Sequence, residues 1–200
     1  MLESKNDILY QSRASGLGQL IRIVAFQYKH YCHEIRVMFD DFGGYPEPKV
    51  ISENFPEFFD RTITTTVFTG MAIEAFLYDF SVVNVSKTYA DKVENRTLDD
   101  EFEDIVNKVI GDDASEFQEI KQRLTSLKLS RNHFVHNKST QMGKYNTKSV
   151  DWLTPNMCMN LLIDVMTFFE LHKPNYLLSS YTRKTLEEVK AQEDAFLTGS

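Results

Sequence analysis

Nine consecutive residues, Ser130-Arg131-Asn132-His133-Phe134-Val135-His136-Asn137-Lys138, gather one guanidinium, two imidazoles and two carboxamides beside apolar Leu127 and Leu129. Polar groups at this density are costly to bury unless each finds a partner. An imidazole that titrates near neutrality can move protons, and a guanidinium can stabilise charge gathering on a phosphoryl group. Together these groups suit phosphodiester cleavage without a metal. The surrounding charge points the same way. Between Ile120 and Val150 lie Lys121, Arg123, Lys128, Arg131, Lys138, Lys144 and Lys148 with no acidic residue, a charge of +7 against −14 for the rest of a chain whose net charge is −7. A basic strip on an acidic body suits contact with phosphate at one place. A solvated helix face followed by a polar loop fits the same charges. The net charge argues against a protein that coats nucleic acid without specificity.

The elements that must carry this motif read as helices. The 200 residues are 42% hydrophobic, with 15 Phe and 9 Tyr, enough for a substantial core. The 8 Gly and 5 Pro are too few for the turns of a sandwich or barrel. From Ile8 to Phe42, Leu17, Leu20, Ile21, Val24, Tyr28, Tyr31, Ile35 and Met38 trace one helical stripe, closed by Gly43 and Gly44 and followed by a short irregular stretch. From Pro56 to Lys87, Phe59, Ile63, Val67, Met71, Ala75, Tyr78 and Val82 form the expected stripe of a second helix. Burial must hold it against the β-branched run Thr62 to Val67. A polar break at Thr88 to Arg96 precedes a third helix with Asp99, Asp100 and Glu101 in its first turn, where the dipole favours acids. Ser115 is the expected cap of a fourth helix, with Phe117, Ile120, Leu124 and Leu127 as its apolar stripe and the polar motif at its end. Lys138 to Ser149 reads as an exposed loop. Thr154 and Pro155 then start a fifth helix that Pro174 stops, and 180–200 reads as a charged amphipathic helix or tail. The expectation is one all-α domain over 1–200, a bundle of about five to six helices with its core at about 8–172.

The motif resembles that of the HEPN superfamily. Arg131, Asn132 and His136 match its Arg-x4-6-His signature with four intervening residues, and the text from Leu127 to Lys138 looks like the family's motif helix. The stretch Gly70-Met71-Ala72-Ile73-Glu74-Ala75-Phe76-Leu77 is similar to its earlier core helix, in which an acidic residue sits among apolar ones. The likeness covers roughly Arg61 to His172. It implies a helical bundle, commonly a homodimer, and a metal-independent endoribonuclease of toxin or defence type that needs no cofactor. In that setting His136 is the acid/base group at a ribose 2′-hydroxyl or leaving oxygen, Arg131 stabilises the phosphorane charge, and Asn132 orients one of them or the phosphate. His133 and Glu74 are supporting residues, and Lys128, Lys138, Lys144 and Lys148 are the RNA-binding candidates. The implied partners are RNA, a second copy, and an antitoxin or other protein.

Helix geometry qualifies this site. Positions five apart on an ideal helix differ in direction by about 140°, so Arg131 and His136 of one helix do not converge, whereas Asn132 and His136 share a face. A local distortion or a second copy of the motif across a dimer axis would complete the site, and the dimer is the reading adopted. The structural alternative pairs Arg131 with Glu74 and leaves His136 hydrogen-bonded at a helix end. In that case the bundle is a non-catalytic interaction module. A nucleotide-binding accessory subunit would need a pocket between helices with the basic strip at its mouth.

Other signals are weaker. His30 and His33 share a helix face near Cys32 but lack further ligands, and read as core or boundary residues. Asp40 with Asp41, and the acids from Asp99 to Asp104, lack the spacing of a calcium loop. Cys32 and Cys158 match no disulfide framework or metal spacing, which favours a reducing, cytoplasmic setting. Met157 to Leu171, read as the most apolar stretch, is interrupted by Asn160, Asp164 and Glu170, so no membrane association is expected.

Overall fold

The computed structural model describes residues 16–111, 117–136 and 153–197. Among these, eight helices and no strand are present, more than the five to six expected. The first, α1 (Leu17–Phe42), is bracketed by Gly16 at φ 74° and Gly43 at φ 71°, left-handed positions that glycine adopts at little cost. It buries Leu17, Ile21, Val24, Tyr28, Tyr31 and Met38, the face that periodicity indicated. The expected start at Ile8 lies outside the described residues, as do Ser115 and the Lys138–Ser149 loop.

Two short helices account for the higher count. The stretch after α1, read as irregular, forms α2 (Pro48–Asn54), entered by Pro48 at its first turn. The expected polar break forms α4 (Lys87–Val93), whose cap Ser86 accepts from the Tyr89 N–H at 3.1 Å and which buries Ala90 and Val93. Seven residues make only about two turns and leave little periodic signal, so both read as loop in the sequence.

The long α3 (Phe58–Asn84) departs from the sequence reading in its buried face. The expected stripe at Phe59, Ile63, Val67, Met71, Ala75, Tyr78 and Val82 is half-buried or exposed, with Phe59 41% and Met71 38% exposed. The core side instead carries Thr62, Thr65, Thr66, Thr69, Ala72, Ile73, Phe76, Leu77 and Phe80. The physical reason is position. This helix contacts α1, α4, α5 (Leu98–Val109), α6 (Phe117–His136) and α7 (Pro155–His172), so several of its faces are covered and a single apolar stripe is not required. The threonine hydroxyls are met unevenly: Thr65 donates to the Arg61 carbonyl one turn back at 2.7 Å, Thr66 donates to the Leu153 carbonyl at 3.5 Å, and Thr69 Oγ1 has no hydrogen-bond partner among the described residues. Among the described residues α3 is also the helix long and apolar enough to cross a membrane by length and composition, with half of its most apolar window buried in the bundle.

The remaining helices follow the expected order. Thr154 caps α7 by accepting from the Met157 N–H at 3.2 Å, with Pro155 in the first turn, and the helix ends before Pro174. The final helix, α8 (Leu177–Leu197), begins three residues earlier than expected and packs on the bundle, burying Leu178, Thr182 and Leu186. Where α3, α5 and α7 meet, Phe76, Phe80, Phe102, Phe168 and Phe169 are essentially inaccessible, with Phe80 and Phe169 ring centres 4.4 Å apart. The helix α6 packs against α3, α5 and α7.

Candidate functional site

The motif helix α6 is registered by one buried row and four ion pairs. Ile120, Leu124, Leu127 and Ser130 face the core, as the apolar stripe predicts. The basic residues flank this row, and each meets a carboxylate of a neighbouring helix. Lys121 reaches Glu103 of α5 at 2.8 Å, Arg123 reaches Asp164 of α7 at 2.5 Å, Lys128 reaches Asp99 of α5 at 2.6 Å, and Arg131 pairs with Glu74 of α3. The described half of the basic strip is therefore neutralised within the bundle. Lys128, expected at the RNA phosphate, is engaged instead by both oxygens of Asp99, because that carboxylate is only 6% exposed and requires a counter-charge. Burial alone would push the Asp99 carboxyl up. Hydrogen bonds from Lys128, Thr97 and Thr125 outweigh it and hold the group well below the usual carboxylate range. Lys138, Lys144 and Lys148 lie outside the described residues.

Arg131 sits differently from the other three cations. Its stem crosses α3 at Gly70, where a β-carbon would stand 3.1 Å from Arg131 Cδ, and its Nη1 donates to Glu74 Oε1 one turn further along. The missing side chain at Gly70 is what allows the guanidinium to lie against α3. The pair is not sealed: the Arg131 side chain is 29% exposed and that of Glu74 39%. Asn132 is exposed and His133 half-buried, with its ring 5.8 Å from that of Phe134. His136 is the last residue of α6, and its side chain lies outside the described residues. The structure thus brings Arg131 and Glu74 together, as the structural alternative has it.

The sequence reading missed Glu101. It was grouped with Asp99 and Asp100 as a solvated helix start, yet it is 2% exposed, and its Oε1 has no hydrogen-bond partner. Burial, and then the negative charges of Glu74 and Glu94, push its carboxyl up to about 8, so it holds a proton at neutral pH. Periodicity contained the signal, since Leu98, Glu101, Phe102 and Ile105 share the spacing of a buried face. Glu101 is close enough to Glu74 for their negative charges to interact.

No group of three or more His, Cys, Asp or Glu among the described residues is arranged to hold a metal ion. His30 lies edge-on to Phe26 with ring centres 4.3 Å apart, and Cys32 is buried with its thiol pushed up to about 11, chiefly by desolvation. These residues are built into the packing of α1. A cavity between α1, α7 and α8 has none of the α6 cations in its lining, and the other cations of the basic strip, Lys138, Lys144 and Lys148, lie outside the described residues. No family model, no curated protein and no solved structure matches this chain.

Proposed function

We propose that the chain is a HEPN-like helical bundle whose α6 motif cleaves RNA without a metal. The observation that carries this reading is the setting of Arg131, laid over Gly70 and anchored by Glu74 while its side chain keeps 29% of its surface exposed. A guanidinium fixed in advance does not have to reorganise as charge develops on a phosphorane, which is where electrostatic stabilisation is most effective. In this reading Arg131 stabilises that charge, and His136 moves the proton at the 2′-hydroxyl or leaving oxygen. The exposed Asn132 orients the phosphate, and His133 and Glu74 support the site. With Lys128 engaged by Asp99, contact with the RNA backbone falls to Lys138, Lys144 and Lys148. Arg131 and His136 diverge on one helix, so a second copy of the motif completes the site in a homodimer. Two buried free cysteines suit a toxin or defence protein working in a reducing compartment.

The test is cleavage of a mixed RNA substrate by purified protein in excess chelator. Arg131→Ala and His136→Ala should each lower the rate by about 10²- to 10⁴-fold while leaving helicity and oligomeric state unchanged. Cleavage that needs added metal, or that neither substitution slows, would sink the proposal. A second reading, a non-catalytic module that binds a protein partner, is favoured by one observation. All four cations of α6 are engaged in ion pairs within the bundle, leaving little positive charge there for RNA. Folded, dimeric protein that cleaves no RNA would support it.

A further inference from the structure

Away from α6, a cavity of about 660 Å³ opens between the C-terminal half of α1, the start of α7 and the end of α8. That volume is within the range of small-molecule sites. Its lining divides by chemistry. One part is aromatic: Phe39 and Tyr45 meet edge to face with ring centres 5.5 Å apart, and Tyr31 lies near enough to Tyr45 for the two hydroxyls to influence each other. The other part is charged and balanced, with two cations, Arg36 and Lys190, and two carboxylates, Asp40 and Asp194.

The charged part is held in place by its own contacts. Arg36 donates to Glu193 at 3.0 Å, Lys190 pairs with Asp194, and the Tyr28 hydroxyl donates to Asp194 Oδ1 at 3.3 Å. Asp40 is exposed and has no ion-pair partner among the described residues. A lone anion would meet Asp40 and Asp194, and a lone cation would meet Arg36 and Lys190. A ligand carrying both charges at a short separation can face each with its opposite. The rings of Phe39 and Tyr45 supply the apolar surface for a flat body attached to those charges. The Cys32 thiol also borders the cavity, but burial keeps it protonated, so the site is non-covalent.

We propose that this cavity binds a small zwitterion with a flat apolar body, an aromatic α-amino acid being the simplest member of the class. The ammonium lies toward Asp40, the carboxylate toward Lys190 and Arg36, which it shares with Asp194 and Glu193, and the ring against the exposed surfaces of Phe39 and Tyr45. The site is independent of the ribonuclease reading and stands or falls separately.

Calorimetric titration of the full chain with L-phenylalanine, 3-phenylpropionate and 2-phenylethylamine tests it, because the last two carry the same ring with one charge each. L-Phenylalanine should bind saturably, and each single-charge analogue at least about tenfold more weakly, corresponding to about 1.4 kcal/mol. Asp40→Asn should weaken L-phenylalanine by about fivefold and leave 3-phenylpropionate no weaker. Tyr45→Ala should weaken every ligand that binds. Both positions are exposed, so unchanged thermal melts are expected and separate lost binding from lost folding. Equal binding of a single-charge analogue, or no saturable binding of any of the three, would overturn the assignment.

Discussion

The seam between α3 and α7 and the seam between α5 and α6 lie in one bundle and are built on different physics. In the first, Phe76, Phe80, Phe168 and Phe169 pack ring against ring. Their contribution depends on area removed from water and on fit, and is nearly indifferent to pH and salt. In the second, Asp99 holds Lys128 and Thr125 and Glu103 holds Lys121, while Glu101 of the same α5 is buried without a hydrogen bond on one oxygen. Desolvation and Coulomb attraction nearly cancel in such a seam, so its net contribution is small while each broken partner is costly. The contrast suggests that the aromatic seam supplies stability and the charged seam fixes how α6 is presented.

The largest effect should come from the aromatic side. Phe169→Ala removes a ring in contact with Phe76, Phe80, Phe102 and Phe168. It should cost about 4 kcal/mol in urea unfolding, at pH 5 and pH 8 alike. A loss that varies with pH would blur the distinction between the seams.

Lys128→Met comes next. It leaves the Asp99 carboxylate buried with only hydroxyl donors and should cost about 3 kcal/mol near neutrality, somewhat less than full burial of both partners would give because Lys128 is 23% exposed. Asp99 has a depressed folded-state pKa. Its stabilising contribution is therefore present above the unfolded value of about 3.8 and is lost as pH falls through the lower folded value. In the variant that loss on acidification should shrink, which unfolding measured from pH 5 to pH 2 would detect.

Glu101→Gln should act in the opposite direction and more modestly. A carboxyl raised from 4.5 to about 8 binds its proton more tightly in the folded state. The protein consequently loses stability as pH rises from about 4.5 toward 8, and the loss is absent below that window. Glutamine removes this dependence. The variant should gain about 2 kcal/mol at pH 7 and nothing at pH 4, read from thermal melts at both values. A gain of equal size at both would mean that the amide merely packs better.

These seams were not equally legible in the sequence. The stripes of α1 and α6 stand out because each helix has one buried face, and the Thr154–Pro155 start of α7 is a local cap that announces itself. The face of α3 misled because a helix covered on several sides keeps apolar residues at both Phe59 and Phe76, and buried threonines read as surface. The pairing of Arg131 with Glu74 could be anticipated from residue type. The spacing Leu98, Glu101, Phe102, Ile105 marked Glu101 as facing inward, but an acid in the first turn of a helix reads as solvated by residue type, and that masked both Glu101 and Asp99.

Gly70 carries a consequence for how this sequence can change. Glycine within a helix ordinarily invites replacement by alanine, which would add roughly 0.5–1 kcal/mol of helix stability. Here the added methyl would stand 3.1 Å from Arg131 Cδ and 3.3 Å from its Nη1, so the arginine would have to give by a few tenths of an ångström. A stabilising substitution on α3 is thus also the one that presses on Arg131, so the helix's thermal robustness and this arginine's position meet at a single methyl group.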